Sequence, residues 1–165
     1  MKTKQYVGLD VGLKGGIAFI GLPAGSKPFN ISPMPLMAVG KRNEVDVVKL
    51  WEMIAGIEHG ATTYVLEQCS HHMPSQAAMR SVAMSYGKIL GLLESKGCKV
   101  ITMTAQAWQK MMLGSIPAGT TKAAALGLAK RLWPQEKFIL PGCKTPHDGC
   151  IDAALMAELA RRNNL

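Results

Sequence analysis

Asp10 stands between Leu9 and Val11 at the end of an apolar, β-prone run, Tyr6-Val7-Gly8-Leu9. An ionised carboxylate in such a strand is costly unless a cation or a hydrogen-bond donor compensates it. Any fold built on this strand must therefore supply that compensation. Gly16 to Ile20 is a second β-prone run, and the glycines of the intervening Val11-Gly12-Leu13-Lys14-Gly15 permit a reversal, so the chain is expected to open with a hairpin. A third short strand is expected near Asn30 to Met34. Beyond the Pro/Gly-rich stretch from Pro23 to Gly40, Val45, Val48, Leu50, Trp51, Ile54 and Ile57 have helical spacing. Asn43 is the candidate N-cap of that helix, and its end is expected near His59-Gly60.

Thr63-Tyr64-Val65-Leu66-Glu67 reads as a buried strand that again ends in a carboxylate, where a loop from Cys69 to Ser75 begins. Ligands of open α/β sheets gather at such strand ends. A helix from about Ser75 to Lys96, a strand from Lys99 to Met103, a short helix around Gln106 to Met112 and a helix from Thr121 to Leu132 follow. The last helix is expected to run from His147 or Asp148 to Arg162. Hairpin strands first, then alternating helices and strands, then a terminal helix predict one α/β domain over residues 1–165, with a mixed sheet flanked by helices.

The balance of residues narrows the partner. With 165 residues, 48% hydrophobic and 18% charged, the chain suits one domain with an ample core. Nineteen Lys and Arg against eleven acidic residues leave a net charge of +8, which favours a polyanion, nucleic acid foremost. No apolar run approaches the roughly 18 residues of a spanning helix, and Met1-Lys2-Thr3-Lys4 leads into a strand rather than a signal peptide. A soluble intracellular protein without a membrane partner is expected. Cys69, Cys98, Cys143 and Cys150 then fit reduced thiols, and Cys143, His147 and Cys150 match no common structural zinc spacing.

Asp148 and Asp152 lie one turn apart at the start of the last helix and share its face with Leu155 and Leu159. Like charges at that spacing repel unless a cation sits between them, and the helix N-terminus favours anions in its first turn. Asp10, Glu67, Asp148 and Asp152 together would make an oxygen-rich site suited to Mg²⁺ or Mn²⁺, and paired hard cations so held hydrolyse phosphodiesters. Each residue has a plainer alternative: Asp148 as an N-cap, Asp152 in a surface ion pair, Asp10 ending a strand in a turn, Glu67 in a structural ion pair. Needing all four alternatives at once is the less economical account.

These motifs resemble the RuvC-like Holliday junction resolvases of the ribonuclease H-like superfamily, over nearly the whole chain. Val7-Gly8-Leu9-Asp10-Val11-Gly12 with Gly15-Gly16-Ile17-Ala18 is similar to the family's first strand and catalytic Asp, and Val65-Leu66-Glu67-Gln68 to its strand-borne Glu followed by Gln. Ser85 to Leu93 resembles the long central helix. Ala107-Trp108-Gln109-Lys110, Thr121-Lys122-Ala123-Ala124 and Arg131-Leu132-Trp133-Pro134 resemble a stretch of the phage and chloroplast branches. His147-Asp148-Gly149-Cys150-Ile151-Asp152-Ala153-Ala154 resembles the motif that completes the metal site. The two Asp residues are four apart, as in the phage and chloroplast-type branch; the best-known bacterial enzymes have three, which leaves the role of Asp148 less defined.

The resemblance implies a five-stranded mixed ribonuclease H-like sheet and a Mg²⁺-dependent endonuclease, with Mn²⁺ able to substitute and no nucleotide cofactor. Its substrate would be the four-way DNA junction, nicked symmetrically by a homodimer joined through the central helix. Ala77, Ala78, Ser81, Ala83, Ser85, Gly87 and Gly91 would permit close helix approach there, and ordinary core packing explains them equally well. The expected setting is the cytoplasm of a bacterium or phage-infected cell, and an organellar matrix or stroma fits the same residues. Catalytic roles fall on Asp10, Glu67, Asp148, Asp152 and Lys122.

Lys122 opens a helix, the less favoured end for a cation, so a local anion is expected there; by resemblance it is the scissile phosphate. Gln68, His71, His72, Lys88 and Lys110 are candidate DNA contacts together with Lys122, and Lys14, Lys130, Lys137 and Lys144 extend the basic field. The loop Cys69 to Pro74 is placed to probe bases or wedge an opened junction, or is simply solvated. His147 is expected beside the ligands, orienting water, moving a proton or capping the helix. Trp108 and Trp133 read as core anchors. The competing functions are a ribonuclease H-like RNA-processing nuclease and a non-catalytic junction-binding protein.

Overall fold

The structure, a computed structural model, describes residues 4–21, 30–69 and 75–165. Its main sheet has five strands in the order β3-β2-β1-β6-β7, built from β1 (Gln5–Leu9), β2 (Gly16–Ile20), β3 (Ile31–Pro33), β6 (Thr62–Glu67) and β7 (Lys99–Met103). β2 pairs antiparallel with β1 and β3, whereas β1–β6 and β6–β7 are parallel. The expected mixed sheet and opening hairpin are both present. Helices α1 (Val47–Ile54) and α2 (Gln76–Ser95) cover one face; α3 (Ala105–Leu113), α4 (Thr121–Leu132) and α5 (Asp148–Arg162) cover the other. None of the helices among the described residues is long and apolar enough to cross a membrane.

With both faces covered, the central strands are apolar on both sides, and the two-residue alternation of a strand divides them between two cores. Val7, Leu9, Ile17, Tyr64 and Leu66 pack with Leu50, Ile54, Ile89 and Leu93 under α1 and α2. Tyr6, Ala18 and Val65 pack with Trp108, Ala125, Ala129 and the inner residues of α5. α5 is buried along almost all of Gly149 to Ala160, as expected of a helix apolar all round. Its one buried charge, Glu158, is held by Arg161 and Arg162.

α5 reaches the sheet because glycine lines the contact. A Cβ on Gly8 would lie 1.8 Å from the Ala153 carbonyl oxygen, and one on Gly149 would lie 2.4 Å from the Lys14 carbonyl oxygen. Gly15 and Gly149 form a parallel bridge. The glycines around the first hairpin thus serve helix docking as well as chain reversal.

The stretch before α1 departs from expectation. Asn43 is not an N-cap; it lies in a two-stranded ribbon of β4 (Leu36–Val39) and β5 (Arg42–Val45), turned at Gly40 with φ +62°. Asp46 caps α1, its Oδ1 accepting from Lys49 N at 2.9 Å. The helix stops at Ile54, short of the expected end, and a 3₁₀ turn over His59–Ala61 leads into β6. The later helices fall within a residue or two of expectation, with Ser75 and Thr104 capping α2 and α3.

Candidate active site

Strand parity brings the first two carboxylates to the same face. Asp10 follows β1 and continues the Tyr6–Gly8 side; Glu67 ends β6 and continues the Val65 side. Since Leu9 pairs with Leu66 in the parallel register, Asp10 and Glu67 emerge at neighbouring strand ends beneath the first turns of α5. Asp10 is held in its turn by the Gly12 N–H, which donates to Oδ1 at 3.2 Å, while its own N–H donates to the Gly16 carbonyl at 3.0 Å.

His147 caps α5, Nδ1 accepting from Cys150 N at 3.2 Å, which leaves Asp148 as the first residue of the helix and not its cap. Asp152, one turn later, is partly buried. Its pKa is pushed up to about 7 by burial and then by the negative charges of Asp10, Glu67 and Asp148, with Lys122 opposing. Glu67 also rises to about 7, from burial against the bond it accepts from Trp108, with Asp10 adding repulsion. Burial raises Asp10 too, against the lowering influence of the Gly12 N–H and of the neighbouring His147. Asp152 thus lies within the field of the other three carboxylates.

Two donors stand among them. Trp108 Nε1 donates to Glu67 Oε2 at 2.8 Å, although the indole is otherwise the fully buried anchor expected of it. Lys122 Nζ donates to Asp148 Oδ2 at 2.6 Å, the two side chains being 81% and 52% exposed. An anion does stand beside Lys122, Asp148, and this bond and the carboxylate's charge raise the lysine's pKa.

Among the described residues no three His, Cys, Asp or Glu side chains form a ready-made cage for a metal ion. In chemistry the set still fits a hard cation: the donors are all oxygen, and the desolvated carboxylates hold negative charge that Lys122, at the rim, offsets only in part. The cysteine–histidine alternative does not assemble, since Cys150 is sealed in the core and Cys143 is exposed.

The remaining candidates are dispersed. Gln68 turns toward β7, Nε2 donating to Thr102 Oγ1 at 3.0 Å. Lys88 pairs with Glu44 in a groove between the β4–β5 ribbon and α2 that Arg42, Arg80 and Met84 also line. Lys110 is exposed on α3, and Lys14 is exposed in the β1–β2 turn. His71 and His72 lie outside the described residues. On α2, Ser85 is buried, but Ala83, Gly87 and Gly91 face outward, and a Cβ on either glycine would meet nothing within 4 Å. Core packing does not account for those three.

A mixed five-stranded sheet in this order, flanked by helices on both faces, is the ribonuclease H-like fold. Within it the chain has the fold of RuvC. It superimposes on Thermus thermophilus RuvC in complex with a Holliday junction substrate with a TM-score of 0.64 and 11% identity, over 98% of this chain and 94% of that one. A second T. thermophilus RuvC structure gives 0.58 and 12%, over 97% and 96%. No protein-family model matches the chain, and no curated protein matches it in sequence.

Proposed function

We propose that the chain is a Mg²⁺-dependent Holliday junction resolvase, an endodeoxyribonuclease that acts as a homodimer and makes paired symmetric nicks in four-way DNA junctions. The observation that carries this reading is the convergence of Asp10, Glu67 and Asp152 beneath α5, where burial and mutual repulsion leave negative charge in want of a cation. Asp10, Glu67 and Asp152, with Asp148 at the rim, are the residues that would hold Mg²⁺, and Mn²⁺ has the same preference for oxygen. When bound, a pair of such ions supplies the Lewis acidity for phosphodiester hydrolysis.

The chain's own groups do the rest. The Gly12 N–H and the Trp108 indole each fix one carboxylate oxygen, so little reorganisation remains when the site fills. Lys122 is exposed enough to exchange Asp148 for a phosphate oxygen, which would add positive charge at the scissile phosphate and leave Asp148 available as a further oxygen ligand. Net positive charge draws in the DNA backbone. The outward stripe of Ala83, Gly87 and Gly91 supports dimerisation through α2. The setting that fits is DNA processing in the cytoplasm of a bacterium or phage-infected cell.

The test incubates purified protein with a labelled four-way junction and with linear duplex, with and without Mg²⁺, beside Asp152→Asn. Paired nicks on the junction alone, dependent on metal and absent in the variant, are expected. Tight junction binding without cleavage in any divalent metal would instead identify a junction-binding protein, and cleavage of RNA alone an RNA-processing nuclease.

A further inference from the structure

Trp108 is fully buried, and a buried tryptophan needs a partner for its single N–H. A phenylalanine or leucine would fill much of the same volume, so packing does not explain the indole nitrogen. Its partner is Glu67 Oε2 at 2.8 Å. Donor and acceptor ride on elements tied to each other. Glu67 pairs with Met103 at the end of β7, and Gln68 N donates to the Met103 carbonyl at 2.8 Å. Thr104, the next residue, caps α3 through Oγ1, which accepts from Ala107 N at 3.2 Å. The backbone therefore fixes the first turn of α3 against the end of β6, and Trp108 lies in that turn's continuation.

We propose that Trp108 is a positioning residue for the cation site: its indole N–H commits Glu67 Oε2 and leaves Oε1 as the oxygen offered to the metal. This rests on the metal-dependent reading above. Without the N–H, Glu67 can rotate, and a cation meets a carboxylate that must be ordered before it can bind. Outer hydrogen bonds of this kind commonly alter metal affinity by about 10–100-fold.

The experiment measures Mn²⁺ affinity of the full chain from the paramagnetic resonance signal of free Mn²⁺, for wild type, Trp108→Phe, and a chain carrying 3-benzothienylalanine at 108. The last keeps the tryptophan shape and replaces N–H by sulfur, so it separates the donor from the packing should Trp108→Phe fail to fold. Both substitutions are expected to weaken Mn²⁺ binding by about 10–100-fold. In the wild type the Trp108 indole N–H resonance, assigned by its loss in Trp108→Phe, is expected to shift as diamagnetic Mg²⁺ is added, a response that a purely space-filling role would not produce. A benzothienylalanine chain that binds Mn²⁺ within twofold of wild type overturns the proposal alone. A wild type that binds no Mn²⁺ overturns the metal-site reading, and this proposal with it.

Discussion

Replacing Asp152 by Asn should stabilise the metal-free protein at neutral and alkaline pH. Asp152 rises from an ordinary value of 3.8 to about 7 because burial and three neighbouring carboxylates oppose its charge. Between those two values the unfolded chain has released the proton while the folded chain retains it, so folding loses stability as pH climbs through this window and is level above it. At about 1.4 kcal/mol per pH unit, the full gap is worth about 4 kcal/mol. Glu67 also rises, to about 7, and belongs to the same repelling cluster, so the two penalties are not additive. Solvent relaxation around a partly open site reduces the figure, leaving about 3 kcal/mol. Asn has nearly the same shape and no charge. In EDTA at pH 8, Asp152→Asn should therefore melt roughly 6–12 °C above wild type, at 2–4 °C per kcal/mol for a chain of this size. At pH 4 the difference should shrink to about 1 kcal/mol or less, because both chains are then neutral at this position. Adding Mg²⁺ should raise the wild type and leave the variant nearly unchanged. Calorimetry across pH 4–8 reads all three. A variant no more stable than wild type at pH 8, or an advantage that does not depend on pH, would refute the reasoning.

Gly8→Ala should cost about 3 kcal/mol or more in urea unfolding, because its methyl would sit 1.8 Å from the Ala153 carbonyl oxygen and α5 would have to lift from the sheet. Lys122→Ala should leave the melting temperature nearly unchanged, since both partners of its ion pair are largely exposed, yet lower junction cleavage by about 100-fold or more under single-turnover conditions. Gly87→Glu should preserve or slightly raise the stability of the folded chain, as nothing crowds the position and glycine is a poor helix former. It should also turn a sedimenting dimer into a monomer.

The strand and helix order was legible because burial leaves a period in the sequence: Val7 and Leu9 alternate with Tyr6 and Gly8, and the last helix has its apolar run from Cys150 to Ala160. Asp10 and Glu67 stood out because each closes an apolar strand. What escaped is what periodicity does not encode. β4 exposes Leu36, Met37 and Val39, so its apolar residues trace no buried face; the signal was Gly40-Lys41 after the apolar Leu36–Val39, while Arg42-Asn43-Glu44 has little strand propensity of its own. Gly8 reads as an ordinary strand glycine until a helix backbone is laid against it. Trp108 reads as bulk, and only its N–H, at a distance of 41 residues, links it to Glu67. The helix-start argument for an anion at Lys122 was sound about charge, and Asp148, 26 residues away in sequence, is an anion that helix position alone does not point to.

The most direct measurement is anomalous diffraction from crystals soaked in Mn²⁺, at a wavelength where manganese alone scatters anomalously. Density bonded to oxygens of Asp10, Glu67 and Asp152 is expected, with Lys122 turned away from Asp148. Anomalous density only elsewhere, or none at a Mn²⁺ concentration that supports junction cleavage, would contradict the assignment of these carboxylates as the metal site.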